Sequence, residues 1–235
     1  MKIMTTKLPC DLGCNSSDAM VEYDNGYKCF SCGKYKHKKR SICGDNMRVY
    51  SAHVEDRSST EIKEEFKQYL KALNLDNMEF FWSDKYQAMG ISLYFLSNKV
   101  GTAYRTTLNS KAKSKWLTFY NEGVKQLSTF GVYTDEAYIT EDLLSAAKLN
   151  KLTNKLAICI SGTKLSEAML LALVKLQLKT VYLCLDPDEA GQTAAMDIKR
   201  RLSLYTNCVN LVFARDPKYT SIEEIRRLSY ETRTR

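Results

Sequence analysis

The chain has 235 residues, 44% of them apolar, and carries 35 Lys and Arg against 27 Asp and Glu for a net charge of +8. The apolar share excludes an intrinsically disordered protein, and no apolar run reaches the roughly 18 residues that a membrane helix needs. The length suits one large domain, or a main domain with a small module, and the positive balance favours a polyanionic partner. Met1-Lys2-Ile3-Met4-Thr5-Thr6-Lys7 lacks the apolar core of a signal peptide, so a cytoplasmic protein is expected. In that compartment eight cysteines call for metal or burial before disulfides.

At the N-terminus, Cys10-Asp11-Leu12-Gly13-Cys14 and Cys29-Phe30-Ser31-Cys32 stand fourteen residues apart. Two such knuckles fit the four-thiolate site of a zinc ribbon over residues 1–40. Between them Met20 to Cys29 alternates in strand fashion around the turn signal Asp24-Asn25-Gly26. So short a segment has little apolar core, and the metal must supply its folding energy. Tyr23, Tyr27, Lys28, Phe30 and Tyr35 mix rings with charge, and Lys34 to Arg40 is basic. Rings stack bases and cations track phosphates, so Tyr27 and Lys28 are candidates for reading a single-stranded template. The plain alternative is a solvated basic face on a structural zinc module.

Residues 41–59 are polar and aperiodic, and read as a flexible tether. A basic subdomain of mixed helix and strand is expected over 60–130. Ile62, Phe66, Tyr69, Leu70 and Leu73 have helical spacing, and strand-like pieces follow from Ala88, Val100 and Lys115. Gly101, after Ser97-Asn98-Lys99, reads as a turn. Arg105, Lys111, Lys113 and Lys115 suit nucleotide or template phosphates, or are ordinary surface cations.

From residue 131 to 235 the pattern changes. Apolar runs at 137–140, 156–160, 180–185 and 208–213 alternate with helical stretches near 142–151, 164–177, 189–204 and 221–230. Strands this apolar, alternating with helices, predict a parallel sheet covered on both faces. Cys159, Cys184 and Cys208 fall inside the apolar runs and read as buried thiols. Ligands bind beyond the carboxyl ends of such strands. That rule selects Glu141, after Ala137-Tyr138-Ile139-Thr140, and Asp186 with Asp188, after Val181-Tyr182-Leu183-Cys184-Leu185. In extended backbone, positions two apart point the same way, so Asp186 and Asp188 can aim at one hard cation such as Mg²⁺. Asp188 at the head of the next helix could equally be its cap.

Thr140-Glu141 after a strand, and Leu185-Asp186-Pro187-Asp188-Glu189-Ala190-Gly191 before a helix, resemble the Toprim domain of DnaG-type primases, topoisomerases and certain nucleases. With the ribbon of Cys10, Cys14, Cys29 and Cys32 ahead of it, the chain is most similar to primases, above all the primase half of phage primase–helicase proteins. Trp82 to Gly90, Gly101 to Arg105, Lys115 to Thr118 and Arg215 to Ile225 extend the resemblance to about residues 8–40 and 80–230. It implies an α/β fold: a Toprim-type parallel sheet with flanking helices, preceded by the basic subdomain and the ribbon.

The activity it implies is DNA-primase synthesis of short RNA primers on single-stranded DNA in phage-type replication. Glu141, Asp186 and Asp188 are then catalytic and bind Mg²⁺ or Mn²⁺, while zinc is structural. Ribonucleoside triphosphates are the substrates, and a separate replicative helicase and a DNA polymerase are the partners. If the protein is viral, it works in the host cytoplasm. Ser161-Gly162-Thr163-Lys164 lacks the upstream glycine of a phosphate loop, so no fused helicase is expected. The alternatives are a Toprim nuclease, or a zinc-ribbon nucleic-acid-binding protein with a decayed site. The chain departs from the family twice: Asp142 stands where Gly usually follows the glutamate, and Ser145 where an acid often stands. Asp142 either supplies a shifted carboxylate or caps the helix.

Overall fold

The computed structural model describes residues 3–9, 14, 17, 19–23, 26–32, 35–37, 54–109, 115–122 and 125–233. The chain divides into two compact units, 1–49 and 50–235. In the first, β1 (Ile3–Leu8), β2 (Met20–Tyr23), β3 (Gly26–Cys29) and β4 (Tyr35–His37) form an antiparallel sheet in chain order. Tyr23 faces Gly26 and Met20 faces Cys29, which gives the expected hairpin; Asp24 and Asn25 lie outside the described residues. Met20 and Cys29 are buried. Neither β1 nor β4 has enough apolar alternation to be expected from the sequence.

The second unit begins with residues that the sequence assigned to the tether. Residues 54–59 are instead fastened to the unit. The Glu55 carboxylate accepts hydrogen bonds from Ser92 Oγ at 2.8 Å and Thr102 Oγ1 at 2.9 Å, and pairs with Lys99 Nζ at 2.6 Å. Ser59 bridges Trp82. Polar composition marks a loop, but these polar groups find partners far along the chain.

Helix α1 (Glu64–Ala72) buries Phe66 and Leu70 on the face that the spacing selects. Strands β5 (Phe81–Ser83), β6 (Ala88–Phe95), β7 (Asn98–Arg105) and β8 (Trp116–Tyr120) then form an antiparallel meander. Gly101 is not in a turn. It lies within β7, where a Cβ would meet the Phe119 carbonyl oxygen at 2.1 Å, so the glycine admits β8. The reversal sits at Leu96 and Ser97, between the paired Phe95 and Asn98, with Leu96 at φ 53.

The rest of the unit carries β9 (Ser128–Phe130), β10 (Glu136–Thr140), α2 (Leu143–Thr153), β11 (Leu156–Cys159), α3 (Glu167–Lys175), β12 (Thr180–Cys184), α4 (Glu189–Leu202), β13 (Asn207–Asn210) and α5 (Ile222–Arg233). Sheet order is β13-β12-β10-β11-β9; the first four strands are parallel and β9 is an antiparallel edge. The two-residue period of each strand sends alternate side chains into different cores. Ala137, Ile139, Leu156, Ile158, Val181 and Leu183 pack with α3 and α4. Tyr138, Ala157, Cys159, Tyr182 and Cys184 pack instead with α2, and through α2 with α1, β6 and β7. The basic subdomain and the parallel sheet therefore share one core. Lys148 Nζ reinforces the join by donating to the Leu73 carbonyl at 2.8 Å, and so closes the end of α1.

Candidate active site

Strand register sets the acidic rim. Thr140 is paired with Cys184, so Glu141 and Asp186 leave neighbouring strands at the same sheet edge, one and two residues past that pair. Asp188 then caps α4: its Oδ1 accepts from Gly191 N–H at 2.8 Å. Both sequence readings of Asp188 are compatible with this, since the cap uses one oxygen. Gly191 is needed because a Cβ there would lie 2.3 Å from the Asp186 carbonyl oxygen. That carbonyl accepts from Gln192 Nε2 at 3.1 Å, and Asn210 Nδ2 holds Gln192 Oε1 at 3.1 Å. The end of β13 thus pins the loop that presents Asp186.

Asp142 is the cap of α2. Its Oδ1 accepts from Leu144 N–H at 2.8 Å and Ser145 N–H at 3.2 Å, and its Oδ2 accepts from Ser145 Oγ at 2.7 Å. Of the two roles that the sequence left open for Asp142, the cap is the one realised. The 3₁₀ turn Pro217–Tyr219 packs on α2 and brings in two groups that sequence reasoning missed. Lys218 Nζ, on a buried side chain, pairs with Asp216 and lies 3.4 Å from Asp142 Oδ2. The only sequence signal was Asp216-Pro217-Lys218 in the late stretch of the resemblance, since nothing local announces a buried lysine.

These charges raise proton affinity at the rim. Burial, then the charges of Asp216, Asp142 and Glu141, push the Asp186 carboxyl up to about 7. Burial, then Asp188, Asp142 and Asp216, raise Glu141 as well. Burial opposes ionisation of Asp142 too, but Lys218 and the hydrogen bonds of the cap outweigh it and hold that carboxyl low. Burial also disfavours the Lys218 ammonium, yet Asp142, Asp216 and Asp186 raise its proton affinity above the usual lysine value. Lys125, a second missed cation, is pulled down by burial and partly restored by Cys159 and Glu141.

Among the described residues, Asp186 Oδ1 is buried with no hydrogen-bond partner. A buried acceptor left unmatched beside like charges is what a cation-binding rim presents, and hard oxygen donors suit Mg²⁺ or Mn²⁺. The donors fit such an ion in kind. Their oxygens are not drawn together as metal ligands: among the described residues, only Cys14, Cys29 and Cys32 have ligand atoms all within 4.8 Å of one another.

Cys14 Sγ and Cys29 Sγ are 3.5 Å apart, near the roughly 3.8 Å expected for tetrahedral thiolates at 2.3 Å from zinc. The three thiols form a site able to hold a metal ion, and the expected fourth ligand, Cys10, lies outside the described residues.

The other expected site residues stand on several elements. Arg105 is buried at the end of β7, its guanidinium 5.1 Å from the Tyr69 ring centroid and 5.4 Å from that of Trp116. Lys115 is half-buried just before β8, and Lys113 lies outside the described residues. In β3, Lys28 Nζ sits 5.2 Å from the centre of the Phe30 ring, and Phe30 is exposed. Tyr27 is in the same strand.

Residues 133–219 match the family described as Toprim-like. No curated protein sequence matches the chain. Among solved structures, the zinc-binding and RNA polymerase domains of the Aquifex aeolicus primase align over 99% of this chain and 81% of that one, with a TM-score of 0.60 and 15% identity. A DNA primase domain from Pseudomonas aeruginosa aligns over 74% of this chain and 61% of its own, with a TM-score of 0.50 and 16% identity. A DnaG primase catalytic domain bound to single-stranded DNA gives a TM-score of 0.50 at 16% identity, over 72% of this chain and 59% of that one. The chain thus contains a Toprim-like domain and has a primase-like fold.

Proposed function

We propose that this protein is a DNA primase that joins ribonucleotides into short RNA primers on single-stranded DNA. The observation that carries the reading is the acidic rim at the carboxyl ends of β10 and β12, with the unmatched Asp186 Oδ1, inside a Toprim-like domain. Glu141, Asp186 and Asp188 would hold a magnesium or manganese ion, which would supply charge neutralisation for the incoming triphosphate. Glu141, whose proton affinity is raised, is suited to accept the proton of the attacking 3′-hydroxyl. Lys113, Lys115 and Lys125 are suited to phosphates of nucleotide or template. Arg105 is too buried to meet the template freely, and it acts by fixing Tyr69 and Trp116.

The division of labour along the chain follows. A zinc ribbon at 1–40, loaded through Cys10, Cys14, Cys29 and Cys32, selects the start site, with Tyr27, Lys28 and the exposed Phe30 on unstacked bases. A tether from 41 into the fifties joins it to the basic subdomain (to 130) and the Toprim-like domain (131–235). The reading includes phage-type replication in the host cytoplasm, with unwinding by a separate helicase and extension by a DNA polymerase.

The test is synthesis on random single-stranded templates with ribonucleotides and Mg²⁺ or Mn²⁺. Oligoribonucleotides are expected, reduced roughly a hundredfold or more by Asp186→Asn or Glu141→Gln. Fragments of labelled DNA in the absence of nucleotides would make the rim a nuclease. DNA binding without any metal-dependent product, unchanged by Asp186→Ala, would make the chain a binding module.

A further inference from the structure

We infer that Lys218 is a resident cation of the acidic rim, standing where a second metal ion would otherwise sit, so that the site takes up one divalent ion only. The inference rests on the metal-binding reading of the rim and deepens it. Five carboxylates, Glu141, Asp142, Asp186, Asp188 and Asp216, act on one another across the carboxyl edge of the sheet. So many acids have charge enough for two divalent ions.

One corner of the cluster is already filled. Lys218 Nζ bridges Asp142 and Asp216 from a side chain that is 10% exposed. Both Asp142 oxygens are engaged, Oδ1 by two backbone N–H groups at the head of α2 and Oδ2 by Ser145 and Lys218. Ser145 is fully buried and donates its hydroxyl to that carboxylate, so it offers no charge to a metal. An ion entering this corner would have to displace the ammonium and break the cap. Glu141, Asp186 and Asp188 keep carboxylate oxygens outside any ion pair among the described residues, and Asp186 Oδ1 is the unmatched one. Asp142 and Ser145 together build the seat of Lys218. A lysine delivers its charge without dependence on free metal, and its ion pairs with Asp142 and Asp216 offset the cost of burying the ammonium.

The experiment counts ions rather than turnover. Mn²⁺ is titrated into the zinc-loaded full chain without nucleotide, so that no ion enters on a triphosphate, and free Mn²⁺ is read by electron paramagnetic resonance. The wild type is expected to bind one ion at the rim, and Lys218→Arg likewise one. Lys218→Asp is expected to bind two. Lys218→Met removes charge with little change of shape, and is expected to gain a second ion bound at least tenfold more weakly than the first. It serves if Lys218→Asp fails the check of folding by circular dichroism. Two ions in the wild type, or one ion in every folded variant, overturn the role of Lys218 and leave the primase reading standing. No ion at all in the wild type overturns both.

Discussion

At Asp186 the rim exacts stability from the fold. The carboxyl is partly buried, its Oδ1 lacks a partner among the described residues, and burial with its acidic neighbours lifts its proton affinity to about 7. An Asp in the unfolded chain titrates at about 4. The folded protein therefore holds this proton more tightly, and the contribution is fully present below about pH 4 and lost as pH rises through 7. In chelator at pH 8, Asp186→Asn removes the charge and is expected to raise stability by about 0.5–2 kcal/mol, or a few degrees of melting temperature. The variant should also lose the Mg²⁺-dependent rise in melting temperature expected of the wild type. Thermal melts with and without Mg²⁺ check both, and a lower melting point for the variant in chelator would refute like-charge strain. Gly191→Ala tests the same loop sterically, since its methyl group would press on the Asp186 carbonyl. The placement of Glu141 and Asp186 just past the ends of neighbouring parallel strands was legible in the sequence, because apolar runs mark where those strands stop. Lys218 was not, because its partner Asp142 lies 76 residues away and only the folded chain joins them.

Elements were legible where side-chain period and burial agree. The interior strands β10, β11 and β12 are almost wholly buried, and their apolar runs announce them. β5 and β9, at three residues each, are too short for any period to emerge. The segment 54–59 misled for another reason: its polar residues resemble a tether until their partners on β6 and β7 are known. Burial alone would raise the Glu55 carboxyl, but hydrogen bonds from Lys99, Ser92 and Thr102 hold it at about 2. A depressed carboxylate stabilises the fold above the unfolded value near 4.5, and that stability is lost as pH falls through about 2. Glu55→Gln is expected to cost about 1 kcal/mol at pH 7, a figure reduced because Lys99 is 40% exposed. The difference from wild type should shrink as pH falls from 4.5 toward 2. Urea denaturation at pH 7 and pH 3 measures it, and an equal deficit at both would assign the loss to packing instead of charge.

Across the whole chain, the described apolar core is unevenly distributed between the two units. All three apolar clusters lie within residues 50–235, whereas the described part of unit 1–49 buries only Met20 and Cys29 among apolar residues. If an ion loads the thiols of Cys14, Cys29 and Cys32, a unit whose described part has so little core is expected to depend on it for its fold. The larger unit has a core of its own, in which α2 ties the meander to the parallel sheet. The fragment 50–235 is therefore expected to fold alone and to melt at the temperature of the main transition of the full chain. A strong thiol-site chelator should erase the structure of 1–49 and leave that transition in place. Differential scanning calorimetry of the fragment, and of the full chain with and without chelator, makes the comparison. On the proposed primase reading the fragment is also expected to keep Mg²⁺ binding at the rim and to lose preference among template start sites. A fragment that fails to fold, or a main transition that moves with zinc, would mean that unit 1–49 stabilises the larger unit.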